Sequence, residues 1–214
     1  MKRLLLAFLF CYASLLSSAQ PGTLDASFNP VSGANEAVYS MALQPDGKIL
    51  IVGKFTAYDG VPRHNIARLN ANGTLDSTFD LGKLRVYSEA ALAIQNDGKV
   101  LVSGDFVYND NIELSNRVVR LNADGTLDAS FNTGGSGADS EANSIVIQND
   151  GKIIIAGGFY YYNGVRRYGI ARLHADGTLD TSFDPGLPAN DYIVKAALQS
   201  DGKILIAGEF TAYN

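Results

Sequence analysis

The chain has 214 residues, with 17 Lys+Arg against 22 Asp+Glu and a formal net charge of −5 at pH 7. An acidic balance with interspersed charges excludes nucleic acid and anionic membrane surfaces as partners, since both demand a basic patch. Hydrophobic content of 46% with 22 glycines excludes a disordered chain and suits a turn-rich globular one.

The first element is a leader. Lys2 and Arg3 precede an almost unbroken apolar run over residues 4–16, and Ser17, Ser18 and Ala19 supply small residues for a cleavage site. Residues 1–19 are expected to be a signal peptide, with the mature chain starting near Gln20; a retained N-terminal anchor is the alternative. The run falls short of the roughly 20 apolar residues a membrane helix needs, so no membrane insertion is expected after cleavage. Cys11 is the single cysteine, and Phe10 stands before it where a lipoprotein anchor wants a small residue. The mature chain then has no disulfide and no cysteine-based metal site.

Residues 20–214 repeat with a period of roughly 52 residues. Gly22-Thr23-Leu24-Asp25 recurs from Gly73, Gly125 and Gly177, each time followed by a phenylalanine (Phe28, Phe79, Phe131, Phe183). Asp46-Gly47-Lys48 recurs from Asp97, Asp150 and Asp201, each opening an apolar run that ends in Gly-x-Phe at Phe55, Phe106, Phe159 and Phe210. Arg-Leu-Asn or Arg-Leu-His appears at Arg68, Arg120 and Arg172. The units run over about 22–72, 73–124, 125–176 and 177–214, the last unfinished.

Each unit is expected to hold four strands, in the first unit strand a over 38–44, b over 48–55, c over 65–70 and d over 74–79. Strand b is apolar on both faces and so buried on both, whereas strand d alternates as an edge strand does. The expected fold is all-β, a β-propeller of four-stranded antiparallel blades, here an incomplete set of three full blades plus parts of others. Pro45-Asp46-Gly47 and Ala71-Asn72-Gly73 fit three-residue hairpin loops with glycine in the left-handed position. That loop length pairs Leu69 with Leu75, Arg68 with Asp76 and Ala67 with Ser77. It predicts the cross-strand ion pairs Arg68–Asp76, Arg120–Asp128 and Arg172–Asp180.

These blocks, Pro-Asp-Gly-Lys with its apolar run, the following Gly-x-Phe, and Arg-Leu-Asn-Ala-Asp-Gly-Thr-Leu-Asp with its Ser-Phe, resemble the delta-60 repeats of bacterial exported proteins. The resemblance covers residues 22–214 and implies a β-propeller in a secreted or cell-surface bacterial setting. It implies no reaction and no cofactor. The fourth unit reaches Asn214 without a strand c, and residues 23–28 form a strand d with no strand c before it. Since rings usually hold about four to eight blades, the missing blades are expected from a longer chain; a four-bladed ring closed by an intermolecular strand is the alternative.

Function is expected at one end of the blades. The a–b and c–d turns share one end and are nearly identical between copies. The b–c loops (56–64, 107–116, 160–168) and d–a loops (29–37, 80–87, 132–141, 184–192) share the other end and differ in every unit. Variable loops on a rigid scaffold are where recognition sits. On that rim Tyr58, Arg63, His64, Tyr108, Tyr161, Tyr162, Arg166 and Arg167 are candidates for stacking on a glycan or anchoring a protein partner. The competing reading is that the tyrosines fill grooves between blades. No metal site is expected: Asn122 to Asp128 resembles part of a calcium loop but lacks its bidentate glutamate, and a hairpin accounts for the Asp-Gly step. His64 and His174 lie at unlike positions and lack a recurring second ligand. The chain is therefore expected to be a non-catalytic binding or surface-interaction scaffold. The alternative is a polysaccharide hydrolase or lyase using rim carboxylates such as Asp59, Glu113 and Asp191.

Overall fold

The computed structural model describes residues 25–28, 31–87, 90–108, 112–114, 116–186 and 189–213. The expected leader lies outside them. The first unit contributes β1 (Val38–Leu43), β2 (Ile49–Gly53), β3 (Ala57–Tyr58), β4 (Val61–Pro62) and β5 (Ile66–Leu69). The second contributes β6 (Leu84–Tyr87), β7 (Leu92–Ile94), β8 (Val100–Ser103), β9 (Asp105–Tyr108), β10 (Ile112–Leu114) and β11 (Val118–Leu121). The third contributes β12 (Ala142–Ile147), β13 (Ile153–Gly157), β14 (Tyr161–Tyr162), β15 (Val165–Arg166) and β16 (Ile170–Leu173); the fourth, β17 (Ile193–Leu198) and β18 (Ile204–Gly208). Among the described residues there is no helix.

The strands form one main antiparallel sheet per unit, β1-β2-β5, β7-β8-β11, β12-β13-β16 and β17-β18, with a second sheet β6-β9-β10 in the second unit and the two-stranded sheets β3-β4 and β14-β15 in the first and third. Asp-Gly turns set the registers. Gln44 N donates to Lys48 O at 2.8 Å and Gly47 N to Gln44 O at 2.9 Å, with Gly47 at φ 83°, which closes a three-residue loop. The loop before Thr74 closes in the same way, and Leu69 pairs with Leu75. Strand d ends there. It is a single bridge rather than a strand over 74–79, so the expected pairing of Ala67 with Ser77 is not made. The cause is local. Asp76 Oδ1 accepts from Thr78 N at 3.0 Å and Thr78 Oγ1 at 2.6 Å, and an Asx turn of this kind bends the chain away from its neighbour.

The inner strands β1, β7, β12 and β17 lie side by side in chain order, and the core is the set of layers between consecutive sheets. Alternate residues of the b strands serve opposite layers. Leu50 and Val52 pack with Leu84, Val100 and Phe106 of the second unit, while Leu101 of the second unit packs with Ile153 and Ile155 of the third. Ile154 and Ala156 then meet Ile193 and Ala196 of the fourth. A bulge opens strand a in the first, third and fourth units. The glycine opposite it has no room for a side chain: a Cβ on Gly53, Gly157 or Gly208 would overlap the carbonyl of Ala37, Glu141 or Tyr192. That close approach explains the glycine of every Gly-x-Phe in these three units.

Candidate functional site

The most strongly repeated residues build one junction. Arg68 Nε donates to Asp76 Oδ2 at 2.7 Å, Arg120 Nε to Asp128 Oδ2 at 2.8 Å and Arg172 Nε to Asp180 Oδ2 at 2.8 Å. The same oxygens receive Lys48 at 2.9 Å, Lys99 at 2.7 Å and Lys152 at 3.0 Å, so the lysine of Asp-Gly-Lys belongs to the junction as well. Each guanidinium lies over the repeated phenylalanine, with Arg68 4.9 Å from the centre of Phe79 and Arg120 5.0 Å from that of Phe131. Burial disfavours a charged Asp76, but hydrogen bonds from Thr78, Lys48 and Arg68 outweigh it and hold the carboxyl well below the usual range. Asp128 is held low in the same way.

Sequence reasoning missed that this junction also joins neighbouring units. Arg68 Nη1 donates to Ala123 O at 2.6 Å, and Arg120 Nη1 to Ala175 O at 2.7 Å; each carbonyl lies in the c–d turn of the following unit. Asp80 N to Asp124 O and Asn132 N to Asp176 O repeat the link through the backbone. Arg172 has no such carbonyl among the described residues, and its side chain is 21% exposed against 8% for Arg68 and Arg120. Asp124 Oδ1, in the calcium-like segment, accepts from Thr126 N and Oγ1.

The expected separation of two ends does not hold here: the b–c segments of the first and third units reach the c–d turns, and they are not loops throughout. They fold into small hairpins, β3 with β4 and β14 with β15. Asp59-Gly60 and Asn163-Gly164 all have positive φ, the signature of a type I′ turn. The two-residue alternation turns Tyr161 outward and Tyr162 inward. Tyr58 and Tyr162 are 3% and 0% exposed, and their hydroxyls donate to Gly73 O at 2.8 Å and Gly177 O at 2.7 Å. Burial first of all, and then the nearby Asp176, push the Tyr162 phenol up. These two tyrosines, expected as ligand contacts, are structural posts. Arg167 is also buried, with Nη1 donating to Arg166 O at 2.8 Å, so it too leaves the contact set. The d–a loops carry a shared clamp: Asn35, Asp139 and Asn190 each accept from two consecutive backbone N–H groups of the b–c segment beside them. The repeat of Tyr before Asp-Gly or Asn-Gly was the available signal for both features.

Of the candidates that stay exposed, Tyr161 and Arg166 lie together in the third unit. Tyr160 is 61% exposed, and Tyr161 flanks Arg166, whose guanidinium lies 5.6 Å from the Tyr161 ring centre and 5.1 Å from that of Tyr168. Arg166 Nη2 donates to Tyr161 Oη at 3.3 Å. Arg63, with Nη1 on Pro62 O at 2.8 Å, and the exposed His64 sit on the first unit's rim; Tyr108 is exposed on β9. The structure therefore does not bring all candidates together. Beside the cluster a cavity of about 220 Å³ separates the third and fourth units, lined by Tyr160, Tyr168, Asp191 and Tyr192 over a floor of Gly157, Gly158 and Gly169. Of the carboxylates considered for catalysis, Asp59 Oδ1 is taken by Ser32 N and Gly33 N at 2.8 Å each. The Glu113 side chain lies outside the described residues, and Asp191 lines the cavity. Among the described residues no three His, Cys, Asp or Glu side chains gather as metal ligands would.

Radially stacked antiparallel sheets with a repeated inter-unit junction define a β-propeller repeat protein. The family model for Domain of unknown function (DUF5122) beta-propeller matches residues 44–79, 95–131, 148–183 and 199–214, and the chain belongs to that family. No curated protein matches it. Among solved structures, a catalytically inactive virginiamycin B lyase from Staphylococcus aureus with quinupristin is similar at 19% identity and a TM-score of 0.45, over 83% of this chain and 51% of that one. The chain thus spans about half that lyase's length. A gluconolactonase from Xanthomonas campestris is similar at 12% identity and a TM-score of 0.37, over 80% and 69%. The expectation of a non-catalytic protein is corrected here and withdrawn: the two structures just named carry the names of enzymes, a lyase and a gluconolactonase. At these identities the likeness concerns the fold and assigns this chain no reaction.

Proposed function

We propose that the chain is an extracytoplasmic bacterial propeller that binds glycan on its loop rim at the third and fourth units. Export rests on the leader-like run over residues 4–16 behind Lys2 and Arg3. The observation that carries the binding site is the exposed Tyr160–Tyr161–Arg166 group, an aromatic surface with a polar edge that no packing requirement explains. The first unit has Thr56, Ala57 and Pro62 at the same hairpin positions, so the cluster is a property of one unit and not of the fold. The exposed Met41 and Leu43 of β1 and Leu205 of β18 support further repeat units packing against the first and fourth.

The test is an array of bacterial and plant polysaccharides probed with the purified chain and with Tyr161→Ala and Arg166→Ala. Both side chains are exposed, so the variants should melt as the parent does. Binding of at least one glycan, weakened about tenfold in each variant, is the expected result. Unchanged binding in the variants, or capture of proteins only, contradicts it. Release of new reducing ends in the same incubations would assign a reaction to the rim.

A further inference from the structure

We infer that the cleft between the third and fourth units is a subsite for a single uncharged hexopyranose ring, an inference that rests on the glycan reading above. Three observations converge on it. The first is its making. The second residue of Gly-x-Phe is Lys54, Asp105, Gly158 and Glu209 in the four units. Only at Gly158 is the side chain absent, and a Cβ there would overlap the Tyr192 ring of the next unit. Tyr192 therefore occupies the space that a side chain would fill elsewhere, and it forms one wall of the cleft while staying 52% exposed.

The second is strain. Tyr168, on another wall, has φ 49°, a left-handed conformation that bulky side chains avoid. It is held there by Tyr168 N donating to Tyr160 O at 3.2 Å and Gly169 N donating to Phe159 O at 2.6 Å. The first unit has His64 at this position, and its left-handed residue is Asn65. Strained backbone of this kind clusters at ligand clamps and active sites, which supports a subsite here.

The third is the chemistry of the lining. A volume of about 220 Å³ is below the roughly 300–1,000 Å³ of drug-sized pockets and suits one ring. Tyrosine faces stack on the C–H faces of a sugar ring. Asp191, whose Oδ1 accepts from Tyr192 N at 2.8 Å, offers its remaining acceptor capacity to hydroxyls and repels an anion. Arg166 over the Tyr168 ring occupies one π-face and repels a cation. A neutral polyhydroxylated ring satisfies all of these at once.

The test is a titration of the chain, followed by backbone amide NMR shifts, with the methyl glycosides of glucose, galactose, mannose and N-acetylglucosamine. Tetramethylammonium and acetate serve as charged probes. At least one glycoside should bind with a millimolar dissociation constant, raised tenfold or more by Tyr192→Ala and by Gly158→Ala. Val61→Ala, on the exposed hairpin of the first unit and away from the cleft, should leave it within twofold. Should Gly158→Ala not fold, the half-exposed Tyr192 still decides. Binding lost in Tyr161→Ala but kept in Tyr192→Ala would overturn the cleft while leaving the glycan reading intact. So would array glycans that bind when no monosaccharide does. Tighter binding of either charged probe would overturn the ligand class.

Discussion

Asp128 is the residue on which the repeat turns. Its Oδ2 accepts from Arg120 and Lys99, and its Oδ1 from Ser130 N and Oγ, all from a site 9% exposed. Removing one partner of a buried ion pair strands the other charges, so Asp128→Ala should cost about 3–5 kcal/mol in a urea melt. The same residue sets a pH dependence. Its folded pKa lies below the unfolded value of about 3.9, so its contribution is complete above that value and is lost as pH falls through the folded pKa. The melting temperature should therefore fall more steeply below about pH 4 in the parent than in Asp128→Asn. The Arg–Asp pairing was legible because a three-residue loop fixes which residues face each other. The lysine and the link to the next unit were not, because side-chain reach across sheets leaves no mark on spacing.

Strands and turns separate two kinds of glycine. Gly157 opposes the bulge, where a Cβ would overlap Glu141 O, whereas Gly151 has φ 83° and nothing nearby. Gly151→Ala should cost about 1–2 kcal/mol, the backbone penalty alone. Gly157→Ala should cost several times more by the same urea melt, because a backbone carbonyl must move. Equal losses would contradict the bulge. The a–b turns and apolar b strands were readable from sequence, since Asp-Gly and β-branched runs act locally. The rim hairpins were not. Strands of two residues, such as Tyr161–Tyr162, are too short for alternation to show, so the sequence does not separate the outward Tyr161 from the buried Tyr162.

At the scale of the molecule, neighbours decide what a sequence becomes. Ile153–Gly157 and Ile204–Gly208 differ by one residue, yet β13 is wholly buried and β18 largely exposed, because only β13 has a unit on each side. Periodicity could say that such a strand wants two covered faces, not which copy has them. The same distinction orders function. Residues that recur from unit to unit hold units together, and the exposed aromatics that do not recur, Tyr160 and Tyr161, lie on the third unit's b–c segment. Hydrogen exchange with and without a saturating array-positive glycan tests this most directly. The account predicts new protection in peptides covering 158–168 and 189–192, and none in the turns at 45–47, 71–73, 123–125 and 149–151. Protection at those turns, or spread evenly over all four units, would contradict it.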